Sequence, residues 1–183
     1  MKTGKTLLSF DAENGQKVVL RTPRWEDVDD LLELINSLVE EGAEIGRAEK
    51  IESREAEIDW LSRALASLEK DEVFYLVAEV NGKVVASSDI HTLRGYEKHV
   101  GVIGIVIKKG FRDLGIGTRM MQTLVDEAKK KALKVLTLSV FASNERAIHV
   151  YEKIGFVQTG LVPRKHFKDG KYIDEMIMTK LLE

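Results

Sequence analysis

The chain has no cysteine, two prolines and no long apolar run. The first absence removes disulfides, thiolate nucleophiles and cysteine-bearing zinc sites together. Pro23 and Pro163 stand alone, and nothing reads as a Pro/Ser-rich linker or a repeat of 20 to 50 residues. One domain over residues 1–183 is therefore expected. The best apolar stretch, Val100 to Ile107, falls far short of the ~20 residues that a membrane span needs. The opening MKTGKTLLSF reaches Asp11 too soon for a signal peptide, so the expectation is a cytoplasmic protein with no membrane partner. Charge of one sign is lacking too: 28 Lys and Arg face 30 Asp and Glu, a net charge of −2. A broad nucleic-acid surface needs a basic excess, so no nucleic-acid partner is expected. His91, His99, His149 and His166 do not have the short spacing of a helical metal pair, and no metal is proposed. Four Asn and three Gln stand against nineteen Glu and eighteen Lys, a bias that fits a thermophile.

What is present suits a packed domain. Hydrophobic residues make up 44% and charged residues 32%, which sets disorder aside. Leu7–Phe10 and Lys17–Thr22 flank a turn and predict a hairpin. Val28, Leu31, Leu32, Ile35, Leu38 and Val39 fall at helical spacing, and Glu40-Glu41-Gly42 ends that helix. A second helix begins near Ser53 and carries Ile58, Leu61, Leu65 and Leu68. Val73–Val80 and Lys83–Thr92 flank Asn81-Gly82, a strong hairpin signal. Val100–Ile107 reads as a strand buried on both faces. A helix from about 115 to 131, a buried strand over Val135–Phe141 and a short helix over Asn144–Ile154 follow, the last ended by Gly155. Two strands close the chain, Phe156–Val162 and Lys171–Leu182. The order β-β-α-α-β-β-β-α-β-α-β-β predicts an α/β (α+β) fold with a mixed, mostly antiparallel central sheet flanked by helices.

The segment with chemical content is Ile105 to Thr118, where an apolar strand, a short basic loop and a glycine-containing turn lead into a helix. Such a turn presents unpartnered backbone N–H groups at the positive end of the helix dipole, and so forms an anion site. Gly115 and Gly117 let the backbone approach a phosphate, and Lys108, Lys109 and Arg112 add positive charge. Two common phosphate motifs fail. Ile116 stands where a Walker loop needs lysine. A dinucleotide fingerprint lacks its third glycine, since Thr118, Arg119 and Met120 follow Gly117.

Arg112-x-x-Gly115-x-Gly117 after an apolar strand resembles the pyrophosphate loop of the GNAT superfamily of acetyl-CoA-dependent N-acetyltransferases. A second match follows, with Asn144, Ala147, Tyr151, Gly155 and Phe156 in that family's Asn-x-x-Ala-x-x-x-Tyr-x-x-x-Gly-Phe pattern. The resemblance covers about residues 17 to 182. It implies that the strand ending at Ile107 splays from Val135–Phe141 to make a V-shaped cleft. Pantetheine would pair with backbone over Ile105, Val106 and Ile107. The pyrophosphate would sit on the amides of Arg112, Asp113, Leu114, Gly115, Ile116, Gly117 and Thr118, and Asn144 would hold the pantetheine arm. An N–H near Ile105 would polarise the thioester carbonyl. Tyr151 would protonate the departing thiolate.

The general base has no obvious owner, because the strand over Val100–Ile107 carries Gly101 and Gly104 and no acid. Glu41 is the nominee, with Glu40, Asp89 and His91 as acceptor-site residues; the competing reading of each is an ordinary surface or strand side chain. The function implied is transfer of an acetyl group from acetyl-CoA to a primary amine, a small molecule or a protein N-terminus, by direct attack in a ternary complex. The segment His166–Met176 is similar to the tail of ribosomal-protein and phosphinothricin-type members, and the family leans to a homodimer. Two readings of other classes stay open. One is a non-catalytic acyl-CoA sensor, which the retained Tyr151 opposes. The other is a nucleotide-binding domain, which the missing lysine opposes.

Overall fold

Asn81 and Gly82 both take positive φ, 50° and 76°, the conformation a two-residue hairpin turn requires. They join β3 (Val73–Val80) to β4 (Lys83–Thr92). The same logic of local signals builds the rest of the computed structural model, which describes residues 2–183. Ser53 caps α2 (Arg54–Glu69), its hydroxyl accepting the Ala56 N–H at 3.2 Å. Asn144 caps α4 (Glu145–Ile154) in the same way through Ala147 N–H, and Gly155 ends that helix at φ 94°. The remaining elements are β1 (Thr6–Asp11), β2 (Lys17–Arg21), α1 (Val28–Glu40), β5 (Val100–Ile107), α3 (Ile116–Lys130), β6 (Val135–Phe141), β7 (Val157–Lys168) and β8 (Lys171–Leu181). Short 3-10 turns at Trp25–Asp27 and Gly95–Glu97 were not foreseen.

The strands form one eight-stranded sheet in the order β1-β2-β3-β4-β5-β6-β8-β7. The pairings of β1–β2, β2–β3, β3–β4, β6–β8 and β7–β8 are antiparallel, while β5 and β6 are parallel. The mixed, mostly antiparallel class is thus the expected one. The chain divides into two compact units. The first takes residues up to His91 together with Gly104–Met120; the second takes Thr92–Ile103 and Met121–Glu183.

In the first unit α1 and α2 bury Val28, Leu31, Leu34, Leu38, Leu61 and Leu65 against Val77 and Val84, with Val106 packed alongside. Arg21 of β2 is buried at 3% exposure, in a two-bond clasp with Asp27 at 2.7 Å and a further bond to Glu79. In the second unit Leu136, Leu138 and Val140 of β6 are buried with Met178 of β8 and with Tyr151 and Phe156.

Three expectations need correction. Of β5, Gly101 and Ile103 are buried, but Gly104 is exposed and Ile105–Ile107 are half-exposed. Its parallel ladder with β6 takes in Val100–Val102 alone. Likewise β6 alternates instead of burying both faces, with Ser139 exposed. Finally, β7 continues to Lys168, past Pro163 and a break in register between Val162 and His166 where Arg164 has φ 56°. A proline is tolerated there because β7 is the last strand of the sheet.

Candidate functional site

The turn between β5 and α3 is built from left-handed residues. Gly110, Asp113 and Gly115 have φ of 89°, 60° and 78°. That path brings the chain sharply into α3, which starts at Ile116 with the N–H groups of its first turn free of helical partners. At Gly117 a Cβ would lie 3.1 Å from Ile107 Cδ1, so a side chain there would press on the tip of Ile107. Arg112 closes the turn back on its strand. Its Nε donates to Ile107 O at 2.9 Å, and its Nη2 donates to the Glu41 carboxylate. Lys108 pairs with Glu33. The N–H of Glu13, at the β1–β2 tip, donates to Leu114 O at 3.3 Å, and Arg119 lies over the Phe10 ring at 5.7 Å. That involvement of the first hairpin was missed, and no local pattern around Glu13 signals it.

The backbone of β5 has a defined polarity. Leu93 N–H donates to Val100 O, and Lys108 N–H donates to Val85 O. The alternation of an antiparallel ladder between those two bonds turns even-numbered residues of β5 toward β4. The N–H and C=O groups of Ile105 and Ile107 therefore point to the opposite edge, and Arg112 takes Ile107 O there. This is the edge at which an extended polar ligand could add its own hydrogen bonds. A phosphate-bearing ligand with an extended arm fits what the turn and this edge offer.

The acidic candidates separate. Glu41, at the C-cap of α1, is 15% exposed and ion-paired with Arg112. Glu40 is turned to solvent and paired with Lys50, which holds its carboxyl below the ordinary range. Asp89 and His91 stand together on one face of β4, with His91 Nε2 2.9 Å from Asp89 Oδ2. The hydrogen bond to Asp89 raises the imidazole above its ordinary value, against a smaller opposing effect of burial. In the second unit Tyr151 is 8% exposed, and burial pushes its hydroxyl up to about 12. Asn144 spends its side-chain oxygen on the cap of α4. Among the described residues no cluster of three His, Asp or Glu side chains could hold a metal ion, and no helix is long and apolar enough to cross a membrane.

Comparison with known proteins bears on this geometry. The model of the acetyltransferase (GNAT) family matches residues 30–156. The L-amino acid N-acyltransferase of Escherichia coli is 24% identical over 59% of this chain, and the matched stretch is 64% of that enzyme's length. The crystal structure of a GNAT-family acetyltransferase from Streptococcus pneumoniae superposes with a TM-score of 0.80 at 26% identity, over 91% of this chain and 99% of that one. A GNAT-superfamily phosphinothricin acetyltransferase from Sinorhizobium meliloti, solved with acetyl-CoA, shares the fold with a TM-score of 0.78 at 18% identity, over 90% of this chain and 88% of that one.

Proposed function

The chain belongs to the acetyltransferase (GNAT) family, and from that premise we propose that it transfers the acetyl group of acetyl-CoA to a primary amine. The observation that carries this reading is the turn from Arg112 to Thr118. It combines left-handed residues at Asp113 and Gly115, a Gly117 packed closely under Ile107, and the opening turn of α3. Acetyl-CoA would supply the activated acyl group and the anion that such a turn suits. Backbone amides from Arg112 through Asp113, Leu114, Gly115, Ile116 and Gly117 to Thr118 would hold the pyrophosphate. The outward-facing groups of Ile105 and Ile107, on either side of Val106, would pair with the pantetheine arm, and an N–H at Ile105 would polarise the carbonyl. Asn144 would position the arm at the start of α4. Tyr151 would donate its hydroxyl proton toward the leaving sulfur.

Glu41 takes a different role from the one its place in the sequence suggests. Its carboxylate is ion-paired with Arg112 and would fix the guanidinium that braces the turn. The acceptor would be a small amine such as a free amino acid, the substrate class named for the Escherichia coli relative. Direct attack in a ternary complex suits a chain that lacks cysteine. The composition adds a home in the cytoplasm of a thermophile.

Calorimetric titration with acetyl-CoA, with ATP as control, tests the reading. Micromolar binding selective for acetyl-CoA is expected, and it should disappear in Gly117→Glu, which places bulk and negative charge against Ile107 at the turn. Equal binding of ATP, or unchanged binding by that variant in a folded protein, would overturn it.

A further inference from the structure

The strand that leads to the turn carries no acid, yet an amine near pKa 10 must shed a proton before it can attack. One part of the first unit is built to take it. Asp89 and His91 lie two residues apart on β4, so both project from one face. Tyr75 is the register partner of Asp89 on β3, and its ring meets His91 edge-on at 6.0 Å. Trp60 of α2 in turn meets Tyr75 edge-on at 5.9 Å. Across from Asp89 on β5 stands Gly104, and a Cβ there would lie 3.2 Å from Asp89 Oδ1. The slot that a side chain of β5 would occupy is filled by the carboxylate of the neighbouring strand. Gly104 directly precedes Ile105, whose N–H faces the free edge.

We propose that His91, oriented by Asp89, is the general base that deprotonates the acceptor amine. The inference rests on the acetyltransferase reading. Nε2–H of His91 donates to Asp89 Oδ2, which fixes the tautomer and leaves Nδ1 as the acceptor. Tyr75 packs edge-on against the ring, while the side chain keeps 52% of its exposure, so a proton taken up at Nδ1 passes on to water. Of the groups around the ring, Asp89 supplies the acting charge. Tyr75 stays protonated, because burial and then the same carboxylate raise its hydroxyl. Trp60 and Gly104 bring no charge.

The step balances. His91 removes one proton from R–NH3+, and the freed lone pair forms a C–N bond with the acetyl carbon. The C–S bond breaks, its electron pair leaves with the thiolate, and the thiolate takes a proton from Tyr151, which water restores. The nitrogen loses its second excess proton to solvent, so the sum is R–NH3+ and thioester giving amide, thiol and one H+.

Two variants and two readouts test it. His91→Gln and Asp89→Asn are assayed by thiol release with acetyl-CoA and a panel of free L-amino acids, with circular dichroism melts to confirm folding. For His91→Gln, kcat should fall about a hundredfold or more, with acetyl-CoA affinity by calorimetry within twofold of wild type. The acidic limb of the kcat/KM profile should vanish in His91→Gln and move to lower pH in Asp89→Asn, because the carboxylate is what raises the imidazole. A wild-type acidic limb retained in folded His91→Gln, or a rate within threefold of wild type, would overturn the assignment. Independently of any acceptor, the His91 imidazole followed by NMR should titrate at higher pH in wild type than in Asp89→Asn; the same midpoint in both would sink the dyad. Failure of the protein to bind acetyl-CoA would instead strike the acetyltransferase reading, which separates the two.

Discussion

Replacing Tyr151 by phenylalanine removes one oxygen from a site that is nearly closed to water. The magnitude follows from the burial. The hydroxyl is pushed up to about 12, about two units above an ordinary tyrosine, so forming the tyrosinate costs about 3 kcal/mol more than usual. An ordinary thiol sits near 8.5, so complete transfer of the proton from Tyr151 to a thiolate is uphill by roughly 3.5 units, or about 5 kcal/mol. In the proposed reaction Tyr151 would therefore work as a strong hydrogen-bond donor that shares its proton as the C–S bond breaks, without lingering as an anion. Its contribution belongs at the low end of the ~10²–10⁴ range for general acids, about a hundredfold in kcat. Steady-state thiol release from pH 7 to 10 measures this, beside the acetyl-CoA Kd, which should stay within twofold. The wild-type kcat should show no descending limb near pH 10. Two results would refute the reasoning: a Tyr151→Phe kcat within threefold of wild type, or a wild-type limb near pH 10 that the variant abolishes, which would mean that burial does not raise the hydroxyl.

Two further expectations concern stability. Glu57 is 3% exposed, and desolvation, partly opposed by Arg47, pushes its carboxyl up to about 6 from an ordinary 4.5. A carboxyl raised on folding lends stability that is complete below pH 4.5 and is lost as pH climbs through about 6. Glu57→Gln should thus be more stable than wild type at pH 7.5, by up to about 2 kcal/mol, with the gap closing at pH 4.5; urea melts at both pH values would show a pH-independent gap if the argument is wrong. Asp27→Asn leaves Arg21 buried with Glu79 as its remaining ionic partner and should cost about 3–5 kcal/mol; a loss under 1 kcal/mol in the same melts would contradict that.

Local chemistry was the legible part of this molecule. Asn81-Gly82, Ser53, Asn144 and Gly155 act through bonds to neighbours a few residues away, so their sequence is enough to place a turn or a cap. The glycine turn before α3 was legible for the same reason. What lay beyond reach depended on register or on distant partners. Arg112 and Glu41 are 71 residues apart, and nothing around either announces the pair. Gly104 reads as a weak strand residue until the register sets it against Asp89. An apolar run such as Val100–Ile107 does not reveal how far its neighbour follows it, so burial on both faces was expected where half-exposure is found. The strand expected to stop at Val162 runs on past Pro163 to Lys168, because a proline's missing N–H matters only where a ladder bond is needed.

That proline has a consequence for how the protein behaves among its own copies. The final strand of a sheet offers unpaired backbone groups that can recruit another chain, the usual start of aggregation. β7 also carries exposed Val157, Leu161 and Phe167, which makes the hazard concrete. Pro163 contributes no donor, and Arg164 at φ 56° breaks the pleat just after it. An incoming strand would find a short run on either side of the interruption and no continuous edge of twelve residues. The irregularity that hid the strand's true length thus guards the open flank of the sheet against self-templating at high concentration.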